Sequence, residues 1–178
     1  MWIAIAMAVL AGALVLGPVM MVRPSGTQAR LAKIRTTASQ MGLQVSMVPK
    51  KELGLLDDKG KRGACYSLLF KQKLPPQPAS ARHWQLLKRP YEHAIHFKQQ
   101  WDWGGSGRAP EVLLPEITAL IDQLPEGVTG LTFSEAQVSC IWDERCGALS
   151  EQEAVGQVAA FLALAVTTIG DRLMTETL

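Results

Sequence analysis

The sequence predicts an α+β fold: an N-terminal transmembrane helix, then one cytoplasmic domain in which a mainly antiparallel sheet packs against two or three helices. Three observations carry that expectation. The first 22 residues hold 19 hydrophobic side chains and no charge. Short stretches between residues 43 and 143 alternate apolar and polar side chains with a period of two, the signature of half-buried strands. Two further stretches, in the 110s and after Ser150, carry apolar residues at helical spacing. The expected organisation is therefore an anchor at 1–22, a basic amphipathic helix at 23–42 and an α+β domain at 43–178.

Composition limits the alternatives. A chain of 178 residues, 48% hydrophobic and 19% charged, is long enough for one cored domain and too apolar for a disordered tail. Fifteen glycines and ten prolines without a period, and only three cysteines, exclude collagen-like and disulfide-scaffold classes.

The 21 residues from Trp2 to Val22 contain no charge, and at about 1.5 Å per helical residue they reach roughly 30 Å, the thickness of a bilayer's hydrocarbon core. A cleaved secretory signal would open with cations and carry a shorter apolar region. The expectation is an uncleaved anchor. Arg23, Arg30, Lys33 and Arg35 follow it with no acidic residue among them, and by the positive-inside rule they place the following domain in the cytoplasm. The expected orientation is thus a single-pass anchor with the N-terminus outside. Residues 23–73 hold 11 Lys or Arg against 3 Asp or Glu, and residues 74–178 hold 7 against 13. Such a basic juxtamembrane part suits anionic lipid, at about 1 kcal/mol per cation near the surface. Those four cations are the expected membrane-surface residues. No aromatic side chain lies between Arg23 and Arg62, which disfavours a nucleic-acid stacking platform.

After the Arg23-Pro24-Ser25-Gly26 elbow, Leu31, Ile34, Ala38 and Met41 recur at helical spacing and Gly42 ends the segment. Strands are expected at Leu43 to Val48, Cys65 to Lys71 and His83 to Lys88, with a weaker one at Ala94 to Lys98. Pro49 to Gly63 reads as a polar loop, and Pro75, Pro76 and Pro78 as an extended connection. A helix carries Leu113, Leu114, Ile117, Leu120, Ile121 and Leu124 and stops at Pro125. A hairpin is expected from Val128 to Phe133 with Gln137 to Asp143. The last helix starts at Ser150, with Glu153 three residues on as a capping box, and runs to about Leu173. Its uncharged centre is too short for a second span, so it should pack on the sheet.

Catalytic signatures are weak. His93 and His96 with Cys140 and Cys146 are spaced unlike any zinc finger, and Cys140, flanked by strand residues, reads as a core residue. Gly104-Gly105-Ser106-Gly107 has no phosphate-binding lysine and reads as a flexible loop. The pairs Asp57-Asp58 and Asp143-Glu144 read as solvated turns. Neither a metal nor a cofactor is expected. Trp101-Asp102-Trp103 stands out, because polar residues precede it and Ser106-Gly107-Arg108 follow it. An exposed indole there would suit a binding hot spot, so Trp101, Trp103 and Arg108 are the expected partner-binding residues.

The apolar span ending in Val22-Arg23-Pro24 and running into a basic helix with Arg30, Lys33 and Arg35 resembles the membrane junction of YajC, the small accessory subunit of the bacterial Sec translocase. The resemblance covers about 35 of the 178 residues and implies an N-out, C-in bacterial inner-membrane protein with a secretion accessory role. Residues 43–178 have no counterpart in that family, whose cytoplasmic part is shorter. From the residues themselves the expected function is a non-catalytic, membrane-tethered interaction or assembly module binding lipid and a protein partner. The competing classes are a membrane-tethered enzyme, with Cys65 or Cys146 as nucleophile and His93 or His96 as base, and a translocase accessory subunit.

Overall fold

A computed structural model describes residues 25–49, 62–90 and 97–175, together with 2, 5 and 7. The chain divides into two compact units, Met1–Lys33 and Ile34–Leu178. In the first unit Trp2, Ile5 and Met7 are helical and exposed; the rest of the expected span lies outside the described residues. The helix α1 (Gly26–Gln40) begins there behind a capping box that sequence reading overlooked. Gln28 donates its backbone N–H to Ser25 Oγ, and Ser25 N–H returns a bond to Gln28 Oε1. Ile34 and Ala38 are fully buried, so the second half of the helix belongs to the domain. Gly42 ends it at φ +84°, a conformation costly for any residue with a Cβ.

The domain is α+β. Six strands, β1 (Gln44–Pro49), β2 (Arg62–Leu69), β3 (His83–Lys88), β4 (Trp101–Gly104), β5 (Val128–Ser134) and β6 (Gln137–Trp142), form one sheet in the order β1-β2-β6-β5-β3-β4. Every neighbouring pair is antiparallel. A single 3₁₀ turn, Glu111–Leu113, leads into α2 (Leu114–Ile121), and α3 (Glu151–Thr175) closes the fold. The expected capping box of α3 is present: Ser150 Oγ accepts from Glu153 N–H, and Glu153 Oε2 accepts from Ser150 N–H.

Strand alternation places Val45, Tyr66, Cys140, Leu131, Leu86 and Trp103 opposite one another in a row across all six strands. The helices cover this face. From α3, Val155, Val158, Leu162, Ala165 and Ile169 are buried to 1% exposure or less. By length and composition α3 is also apolar enough to cross a membrane, yet its apolar stripe is spent on the sheet. Arg172 pairs with Glu116 at 3.3 Å, tying α3 to α2.

One expectation needs correction. Gly104, expected in a flexible loop with Gly105, Ser106 and Gly107, ends an edge strand that starts at Trp101, because Trp-Asp-Trp already alternates with period two and pairs Trp103 with Leu86. The glycine run beyond it is held by close approach: a Cβ on Gly107 would lie 1.8 Å from the His83 carbonyl oxygen. Of the weaker strand expected at Ala94 to Lys98, residues 94–96 fall outside the described residues, and Lys98 forms only an isolated bridge to Trp101. The loop at 50–61, with Asp57 and Asp58, also lies outside them, as do His93 and His96.

Candidate interaction surface

The tryptophan segment is built from β4 and the turn before it. Lys98 Nζ reaches both Asp122 oxygens at 2.6 and 2.5 Å and the Thr118 carbonyl at 3.3 Å, which fastens this turn to α2. Trp101, expected to bind a partner, is only 6% exposed and belongs to the core. Trp103 is half-buried: Trp84 meets it edge-on at 5.8 Å, Phe97 at 5.2 Å. Arg108 is exposed, and its guanidinium lies 5.7 Å from the Trp103 ring centroid. It also donates at 2.8 Å to the Gly105 and Gly107 carbonyls. The structure therefore gathers Trp103 and Arg108 into one patch and removes Trp101 from it.

The cations past the expected span divide. Arg23 lies outside the described residues, and Arg30 and Lys33 sit on the first half of α1. Arg35 is engaged within the domain: its Nε and Nη2 donate to the two Glu144 oxygens at 2.7 and 2.6 Å, a bidentate pairing that fixes orientation as well as charge. Tyr66 donates its hydroxyl to Glu144 Oε1 at 2.8 Å. Glu144 is itself 5% exposed with φ +60°, so the solvated turn expected at Asp143-Glu144 is half wrong. The acid is drawn inward because the arginine of α1 and the phenol of β2 meet it there. Burial, and then the bond to the Glu144 carboxylate, push the Tyr66 phenol well up from its ordinary range. The bond to Glu144 likewise raises the Arg35 guanidinium. Nothing in the sequence spacing signals this triad, whose members are separated by 78 and 109 residues.

The opposite face of the sheet carries a different chemistry, and Ser67 and Ser139 on it are buried as well. Gln44, Ser67, Ser139, Thr132, Gln85 and Gly104 stand opposite one another in a second row across the six strands. Ser67 Oγ donates to Ser139 Oγ at 2.9 Å, and Gln137 Nε2 to the same oxygen at 3.3 Å. Cys65 sits in this region; burial pushes its thiol up, against a smaller lowering by the Ser67, Ser139 and Ser46 hydroxyls. Cys140, on the covered face, is fully buried and pushed up further by the same cause. Both shifts disfavour the thiolate that a nucleophile needs. Among the described residues no three His, Cys, Asp or Glu side chains are grouped as a metal would require.

An apolar groove of about 290 Å³ lies between the end of β2 and the last turns of α3, lined by Leu68, Phe70, Leu74, Val166 and Met174. Leu69 and Met174 are both exposed along it, at 47% and 40%.

No family model, curated protein or solved structure matches this chain.

Proposed function

We propose that this protein is a single-pass, membrane-tethered interaction module: residues 2–22 anchor it with the N-terminus outside, and the α+β domain presents the Trp103–Arg108 patch to a protein partner in the cytoplasm. One observation carries the reading: an uncharged run of bilayer length is followed by three cations, Arg23, Arg30 and Lys33, with no acidic residue among them, and then by a compact unit starting at Ile34. The patch adds a half-buried indole capped by an arginine, the two residue types most often found at binding hot spots. The resemblance of residues 1–35 to the YajC junction makes the protein translocase the first partner to test. The competing thiol enzyme loses support at Cys65, whose thiol burial pushes up.

The test is crosslinking in native membranes, with alkaline extraction and a C-terminal topology reporter run alongside. The expected result is an integral protein with a cytoplasmic C-terminus and a defined crosslinked partner lost in Arg108→Glu. Release by alkaline extraction, or a crosslink unaffected by that substitution, would overturn the reading. Fast alkylation of Cys146 near neutral pH would shift it toward the enzyme.

A further inference from the structure

The sheet has two edges, and they are finished differently. The β4 edge is four residues long, carries Asp102 at its second position and is preceded by the turn in which Lys98 bonds back to Trp101. Short length and charge are the devices that keep an edge from pairing with another chain. The β1 edge has neither. Gln44, Val45, Ser46, Met47 and Val48 form an uncharged, regular run, paired on one side with β2 without a bulge. Among the described residues nothing bonds to the outward backbone groups of this strand. Gln44, Ser46 and Met47 are exposed, and so is Met41 just beyond α1, on the approach to the same edge.

A protein partner that takes up a row of outward N–H and C=O groups does so with an extended backbone, so the occupant is sought as a strand. We propose that this strand is β1 of a second copy, paired antiparallel about a two-fold axis through Ser46, which joins two six-stranded sheets into one. Residues directly opposite in an antiparallel pair share a face. With Ser46 opposite itself, Val45 faces Met47 of the second copy twice on the helix-covered side, and Gln44 faces Val48 on the other. Each apolar pair is favourable, and the run brings no like charges together across the axis. This self-complementarity is what an isologous interface demands. Pro49, which lacks an N–H, ends the pairing. The dimer stands independently of the membrane reading and of the Trp103–Arg108 patch.

The test uses the full chain in lipid nanodiscs and in detergent, with mass measured by light scattering. Wild type should be dimeric at micromolar concentration. Ser46→Lys places two like charges at the axis and should yield monomer, with unchanged circular dichroism, whereas Ser46→Thr should remain dimeric. Thr167→Lys, on the outer side of α3, should leave the dimer intact. Independently, Ser46→Cys in a Cys65→Ser background should form a disulfide-linked dimer on mild oxidation, because opposed Cα atoms in such pairs lie about 4.5 to 5.5 Å apart, within disulfide range. A monomeric wild type, a dimer indifferent to Ser46→Lys, or no crosslink at position 46 would each overturn the proposal.

Discussion

The two faces of the sheet are built from adjacent rows of the same six strands, yet they are different materials. One row reads Val45, Tyr66, Cys140, Leu131, Leu86 and Trp103; its neighbour, one residue along each strand, reads Gln44, Ser67, Ser139, Thr132, Gln85 and Gly104. The first row is apolar but for a phenol and lies under the helices, where Tyr66, Trp84, Leu86, Leu131 and Cys140 have no exposed surface. The second carries neutral polar groups on short side chains that bond to one another. Near one end the second face turns apolar, where Leu87 and Ile141 are buried with Val48 half-buried beside them. The contrast teaches where stability resides: in side chains that fill volume on one face, with hydrogen bonding on the other contributing far less per residue.

The largest break comes from the covered face. Trp84 is fully buried, stacks on Phe133 with ring centroids 5.3 Å apart and meets Trp103 edge-on. Trp84→Ala leaves a cavity among β3, β4 and β5 and should cost about 3–5 kcal/mol, read as a fall in the denaturant midpoint. A loss below about 1 kcal/mol would mean that this face is not the core.

An intermediate effect is expected at a charged link into that face, the Arg35–Glu144 pair. Glu144→Gln keeps the shape of the side chain but removes the charge that Arg35 and Tyr66 converge on. For a fully buried pair the loss is about 3–5 kcal/mol; because the Arg35 side chain is 31% exposed, water recovers part of it, and about 2 kcal/mol is expected. The second half of α1 should loosen selectively, as faster amide exchange at Ile34 to Ala38. Wild-type stability should also fall with rising alkalinity. The Tyr66 phenol is raised in the folded state, so its contribution is complete below the unfolded value of about 10 and is lost as pH climbs toward the folded one. Tyr66→Phe should flatten that alkaline limb.

How much of this contrast the sequence announced depends on the length scale of each signal. The hairpin of β5 and β6, the stripe of α2, the capped start of α3 and the strand at His83 to Lys88 rest on local periodicity and lie where that periodicity puts them. β4 escaped because a polar run before it and a glycine run after it mask a four-residue alternation. Glu144 escaped for a deeper reason. Its burial follows from a tertiary meeting of α1, β2 and the end of β6, and an acidic residue in a turn reads as solvated unless its distant partners are known. The same limit holds for Trp101, whose neighbours in sequence are polar and whose neighbours in space are the core. The edge position of β1 was invisible as well, because pairing order is a property of the whole sheet.

The smallest effect should come from the second face, and it is the sharpest test of the comparison. Ser139 is 3% exposed and accepts from both Ser67 and Gln137, so Ser139→Ala leaves two donors without their shared acceptor. If the face behaves as a solvated polar layer, Gln137 and Ser67 turn to water and the cost stays near 0.5–1 kcal/mol. If it behaves as a sealed second core, both donors stay buried and unpaired, and the cost rises to about 2–3 kcal/mol. The double variant Ser67→Ala with Ser139→Ala separates the two cases. It removes one donor together with its acceptor, so on a solvated face it costs no more than the single change. On a sealed face it restores part of the stability, by an amount that measures how dry the layer is.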